Sequence, residues 1–254
     1  MSRLVASILL VSVLAFAPAA WAEGTSIASA PAVVFGQQEF GNTLNGHQWN
    51  NENCNTGHRT DFESFWALNA VAGDKFVVTW EAVPQTSIEV YPIGTTDFNF
   101  TKARAFLTEP ISSNGKGEFT FSETTTSGVL PFVAHNAICE PPYGPGPYNF
   151  TVIVTHALGV SLPSTKILRS KGTLTVTAHN LEGKAIVDPA VQIELQIKGS
   201  GSWQTIGVGT AANPAIAYKI PARLRHNRHV TLRALAHGTG YTPASSAHLK
   251  ARTL

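Results

Sequence analysis

After Glu194 the chain carries no carboxylate side chain, although sixty residues follow and eight of them are Lys or Arg. Cysteine is nearly absent too, with Cys54 and Cys139 alone, and neither sits in a redox pair or a recognisable nucleophile motif. Charged residues make up only 13% of the chain against 43% hydrophobic ones, which excludes the low-hydrophobicity, high-charge composition of disordered proteins. The signatures G-x-S-x-G and H-E-x-x-H are missing, as are phosphate-binding and dinucleotide-binding loops, so no common catalytic class is announced. No apolar run after the first twenty residues is long enough to span a bilayer.

What is present begins with a processing signal. Arg3 gives a positive start, "LVASILLVSVLAFA" an apolar stretch of the usual length, and Ala20 and Ala22 an A-x-A site. Residues 1–22 therefore read as a signal peptide cleaved after Ala22, and the protein is expected to be secreted, periplasmic or at the cell surface. Two lone cysteines in an oxidising compartment are expected to pair. A Cys54–Cys139 bridge would close a long loop, worth about 4–5 kcal/mol in the chain-entropy model.

The rest divides near residue 158. From Glu23 to Leu158 there are five Lys/Arg and thirteen Asp/Glu; from Gly159 to Leu254 there are twelve and three. The halves thus carry formal charges of 5 − 13 = −8 and 12 − 3 = +9, and such asymmetry hints at a polyanion-binding part. Apolar residues alternate in "KFVVTWEA", "GEFTFSE" and "YNFTVIVT", and again in "TLTVTA", "VQIELQI" and "HVTLRALA". A period of two marks half-buried strands, and "AGDK", "SSNGKG", "PPYGPGP" and "GSGSW" are the turns between them. The expectation is an all-β protein of two antiparallel β-sandwiches, 23–158 with eight or nine strands and 159–254 with about seven.

Two resemblances refine this. "TDFESFWALNAVAGDKFVVTW", with Asp61, Phe65, Leu68, Gly73 and Asp74, and the closing "GPYNFTVIV" make Val33–Thr155 resemble the bacterial pre-peptidase C-terminal family. That likeness implies a jelly-roll-like sandwich, of a kind found as an accessory domain beside secreted enzymes. The strand order and turns of "GTLTVTAHNLEGKAIVDPAVQIELQIKGSGSWQTIGVGTA" and "GYTPASS" make Thr165–Arg252 resemble bacterial Ig-like domains. That likeness implies a spacer, adhesin or polymer-binding module.

The basic stretch "PARLRHNRHVTLRALAHG" frames the candidate site. If Val230, Leu232, Ala234 and Ala236 are buried, His229 and Arg233 face outward. If Ala247, Leu249 and Ala251 are buried, His248, Lys250 and Arg252 do the same. Neighbouring strands would put these five on one solvent face, with Arg223, Arg225 and Arg228 in the loop feeding it. The expected partner is an anionic cell-wall or extracellular polymer rather than nucleic acid, for which no motif is present. A solvated face that discourages edge pairing and docking on the acidic half are the competing readings.

Three further features weigh less. "HNRH" offers two imidazoles, but zinc needs two more ligands and no carboxylate is near in sequence. "GHQWNNENCNTGHRTDFE" gathers His47, His58, Asp61 and Glu63, and reads as a disulfide-pinned polar loop ahead of a metal or acid–base site. Trp66 and Trp80 lie in strands and read as core, whereas Trp49, beside the polar loop, is a candidate glycan contact. No cofactor, no metal and no catalytic residue is expected. The rival reading gives the first half a carbohydrate- or matrix-protein-binding role, or that of an accessory region of a secreted hydrolase, with the second half as a spacer.

Overall fold

The computed structural model describes residues 24–51, 59–84, 86–99, 107–109, 115–122, 126–138, 145–226 and 228–254. Cys54, Cys139, His58 and the N-terminal signal lie outside them. Strands dominate, and two 3-10 turns are the helical elements among the described residues. The first half forms nine: β1 (Gln38–Asn42), β2 (His47–Asn51), β3 (Arg59–Ala70), β4 (Lys75–Ala82), β5 (Thr86–Val90), β6 (Leu107–Glu109), β7 (Lys116–Ser122), β8 (Gly128–Ile138) and β9 (Pro147–Thr155). They make two antiparallel sheets, ordered β1-β9-β4-β7 and β2-β3-β8-β5-β6.

The period-two pattern explains the packing. Phe76, Val78 and Trp80 of β4, Phe119 and Phe121 of β7, and Tyr148, Phe150 and Val152 of β9 point inward from one sheet. They meet Trp66 and Leu68 of β3, Ile88 and Val90 of β5, and Leu130 and Phe132 of β8 from the other. Phe150 lies edge-on to Trp66 at 5.2 Å and 4.6 Å from Phe132. The Trp66 indole N–H, buried away from water, donates to the Tyr148 hydroxyl at 2.8 Å, which removes the cost of an unpaired donor. Trp66 and Trp80 are thus core residues, as their strand positions suggest. The outer face of the five-stranded sheet carries a second apolar patch, Phe65, Tyr91 and Val133. The segment 24–32 lies over it, bridged to β3 at Gly24–Phe65 and Ala32–Ala67. Asp97 accepts hydrogen bonds from the Ile27 and Ala28 amides and fastens that segment.

The second half contains ten short strands: β10 (Gly159–Ser161), β11 (Ile167–Leu168), β12 (Lys171–Thr175), β13 (Thr177–His179), β14 (Gln192–Lys198), β15 (Gln204–Thr210), β16 (Ala215–Lys219), β17 (His229–His237), β18 (Ala244–Ser245) and β19 (Leu249–Thr253). The expectation of about seven, which counts a short leading segment near Lys166–Arg169, falls short because "TLTVTA" divides between β12 and β13, which pair different strands, and because the pieces β10 and β18 are too brief to show a period. One sheet runs β11-β19-β17-β14-β15, with β18 also on β17; β12 pairs β16 and β10 pairs β13. All ladders are antiparallel except β11 with β19, which is parallel. The core is aliphatic, with Ile193, Leu195, Ile197, Ile216, Ile220 and Leu232 among its fully buried side chains. "GSGSW" is the hairpin turn between β14 and β15.

The buried apolar side chains form separate clusters on either side of residues 155–157. The halves touch at one end. Gly73 turns the chain with φ +86°, and any Cβ there would collide with Leu181 of the second half and with Ala157 of the linker. Asp74, wholly buried, accepts from the Val71 amide at 2.9 Å and pairs with His156 Nδ1 at 2.8 Å. Glu182 reaches across to the Ser127 amide at 2.8 Å and hydroxyl at 2.7 Å. Backbone bonds from His156 N to Gly240 O and from Thr242 N to His156 O seat the linker on the second sandwich. The "AGD" turn is therefore also the joint between the halves.

Candidate functional site

The register of the six-stranded sheet builds the site row by row. On β17, alternate residues His229, Thr231, Arg233, Leu235 and His237 face away from the core, because Val230, Leu232, Ala234 and Ala236 fill it. His229 lies opposite Arg252 of β19, and Thr231 lies between Lys250 of β19 and Lys198 of β14. Arg233 lies opposite Gln196 of β14, and Leu235 opposite Glu194. The two end rows line an open groove of about 500 Å³ together with Lys166, which precedes β11, and Gly199.

Charge at the groove is one-signed. Lys166, Lys198, His229, Lys250 and Arg252 line it, and no carboxylate does. Among the described residues, none of these five side chains has an ion-pair or hydrogen-bond partner. The last carboxylate, Glu194, faces the same way two rows further along, roughly 14 Å at strand spacing. That exceeds the ~8 Å screening length at physiological salt, so it does little to neutralise the groove. Glu194 is also engaged locally, accepting from Thr205 Oγ1 at 3.2 Å and Gln196 Nε2 at 3.1 Å.

The remaining basic residues are placed differently. Arg233 is half-buried; its Nε donates to Gln196 Oε1 at 2.9 Å and its guanidinium lies 4.3 Å from the centre of the Trp203 ring. His248 approaches the same indole at 5.2 Å. These two share the face but form its wall beside the groove. In the loop, Arg225 Nε donates to the Ile220 carbonyl at 2.9 Å, which ties that side chain to its own turn. Arg223 sits in the 3-10 turn Ala222–Leu224, and Arg228 anchors through its amide to Thr253 Oγ1 at 3.1 Å. None of the three loop arginines lines the groove. Ala247, expected to be buried, is exposed, because β19 starts only at Leu249 and the preceding residues leave the ladder.

Sequence reasoning missed Lys166, Lys198 and the Trp203 stack. Lys198 ends "VQIELQIK", whose alternation shows that its side chain faces out; only the β14–β17 register puts it beside Lys250's row. Lys166 reaches the site through the parallel β11–β19 pairing, which no local pattern announces.

The groove lies at the end of β17 away from the joint between the halves, about 27 Å by strand rise. The joint holds its own cavity of about 360 Å³, lined by Ser127, His156, Glu182, Lys184 and Tyr241. There the hydrogen bond to Asp74 raises the His156 pKa against the opposing effect of burial. Burial, with a hydrogen bond to Asp188, pushes Tyr241 up to about 12. In the first half, His47 lies opposite Glu63 in the β2–β3 ladder, and Trp49 opposite Asp61; the Trp49 and Asp61 side chains lie outside the described residues. Burial raises the Glu89 pKa, but hydrogen bonds from His135 and Tyr91 outweigh it and leave the carboxyl below its ordinary value. Among the described residues, no group of three or more His, Cys, Asp or Glu is arranged to hold a metal ion, and no helix is long and apolar enough to cross a membrane.

No protein-family model matches the chain, and no curated protein does. Among solved structures, a periplasmic inhibitor of g-type lysozyme from Aeromonas hydrophila is similar over 50% of this chain and 96% of its own, at 13% identity and TM-score 0.34. The adhesin domain of Epf from Streptococcus pyogenes is similar over 85% of this chain and 76% of its own, at 11% identity and TM-score 0.36. A glycoside hydrolase domain from Streptococcus pneumoniae covers 85% of this chain and 36% of its own, at 12% identity and TM-score 0.24. Similarities this low say nothing about what this chain binds or does.

Proposed function

We propose that this is an exported, non-catalytic binding protein whose C-terminal sandwich adheres to an anionic polymer at or outside the cell surface. One observation carries the reading: four Lys/Arg side chains and His229 converge on an open groove with no carboxylate in its lining and, among the described residues, no ion-pair or hydrogen-bond partner. Like charges on neighbouring strands repel, so the arrangement costs stability that an anionic ligand would restore. The site faces away from the joint, so the N-terminal half does not cover it. Export rests on the A-x-A signal in residues 1–22, and the absence of a catalytic role on the missing nucleophile, phosphate-loop and zinc motifs.

The mature chain should bind immobilised heparin and cell-wall fractions at low ionic strength and release at high salt, since exposed charges beyond a Debye length are screened. Lys250→Glu with Arg252→Glu should abolish retention near physiological salt. Binding that ignores salt, or no binding to either support, would remove the electrostatic reading.

A further inference from the structure

Building on that reading, we infer that the groove is a discrete subsite for sulfate or phosphate ester groups carried on a glycan, and selects them over carboxylates. Three of its four permanent cations are lysines, each an ammonium with three freely rotating donors. Such groups suit an acceptor offering oxygens in several directions. A planar carboxylate is matched best by the flat fork of arginine, and Arg252 is the one guanidinium lining the groove.

Spacing makes the same point. Lys198 and Lys250 flank Thr231 from opposite sides, about 10 Å apart across two strand intervals. Arg252 lies one row on from Lys250, roughly 7 Å along β19, and opposite His229. An ester oxyanion seated over Thr231 has non-bridging oxygens to meet ammonium groups from both flanking strands at once. A carboxylate there has two coplanar oxygens and reaches fewer. The neighbouring row offers a second anion position about one strand-row away, so a polymer with closely spaced esters would engage both. A neutral sugar has little to stack on, because Arg233 already covers a face of Trp203.

The test uses the full mature chain and one backbone with three anions: dextran sulfate, phosphorylated dextran and carboxymethyl dextran at matched substitution, with duplex DNA as a fourth ligand. The sulfate and phosphate forms should bind about tenfold or more tighter than the carboxymethyl form, one charge-assisted hydrogen bond being worth that factor. Which ester binds more tightly distinguishes the two sources. Lys198→Gln with Lys250→Gln should erase the discrimination, whereas Arg223→Gln with Arg225→Gln should keep it. An unchanged circular dichroism spectrum checks that the variants fold. Equal affinity for all three dextrans would overturn the subsite while leaving salt-dependent adhesion intact. Tighter binding to DNA would overturn the glycan assignment. No binding to any of the four would instead sink the adhesion reading itself.

Discussion

The two halves carry opposite formal charge, but they use it differently. In the N-terminal half five of the thirteen acids are engaged by the fold. Asp74 and Glu63 are buried, Glu89 is held by His135 and Tyr91, Asp97 fastens the 24–32 segment, and Glu39 accepts from the Val34 amide at 2.9 Å. In the C-terminal half the cations of the groove have no such partners and stay in water. A carboxylate is an acceptor that backbone amides can satisfy, so a fold can absorb it. An ammonium needs acceptors that ladders have already used, so an excess of lysine is driven to the surface. A charge count by halves therefore includes acids that the fold has already engaged, whereas the cations of the groove remain available to a ligand.

The cores differ as well, aromatic in the first half and aliphatic in the second, and the largest effects should come from breaking each separately. Phe150→Ala should cost about 3–5 kcal/mol and Leu195→Ala about 2–5 kcal/mol. Scanning calorimetry should show each substitution lowering the transition of its own half. A single transition, lowered equally by both, would show that the halves unfold as one unit. The joint comes next. Asp74→Ala removes the buried partner of both His156 and the Val71 amide, and should cost about 1–3 kcal/mol, shared between the two transitions.

The smallest effects sharpen the comparison through pH. The His156 pKa is raised in the fold, so its contribution is fully present below the ordinary imidazole value near 6.5 and is lost as pH rises through the raised one. The Glu89 pKa is lowered, so its contribution is present above the ordinary carboxylate range and is lost as pH falls through the lowered value. Denaturant melts across pH should therefore soften the joint on the alkaline side and the N-terminal sandwich on the acid side. His156→Phe should remove only the first dependence.

Much of the fold was legible because sheets write their burial in a period of two. "KFVVTWEA", "YNFTVIVT" and "HVTLRALA" alternate as read, and Phe76, Phe150 and Leu232 are buried where that alternation puts them. The outward direction of Arg233, Lys250 and Arg252 follows from the same rule. The short leading strand near Lys166–Arg169 is present as β11, but its parallel partner is not legible; the two-residue β18 shows no period, and Ala247 is exposed because the ladder starts only at Leu249. Cys54 and Cys139, which are expected to pair, His58 and the side chain of Trp49 lie outside the described residues.

The sequence by itself determined strand content and which side chains turn inward, because both depend on neighbours two residues apart, and which half carries the net positive charge, because that is composition alone. Tertiary structure decided which cations meet. Lys166, Lys198 and Lys250 are far apart along the chain, and strand register and one parallel pairing bring them to a common groove. Register is fixed by packing between distant segments, and so is the role of Gly73 and Asp74, which read locally as a turn and serve as the contact between the two sandwiches.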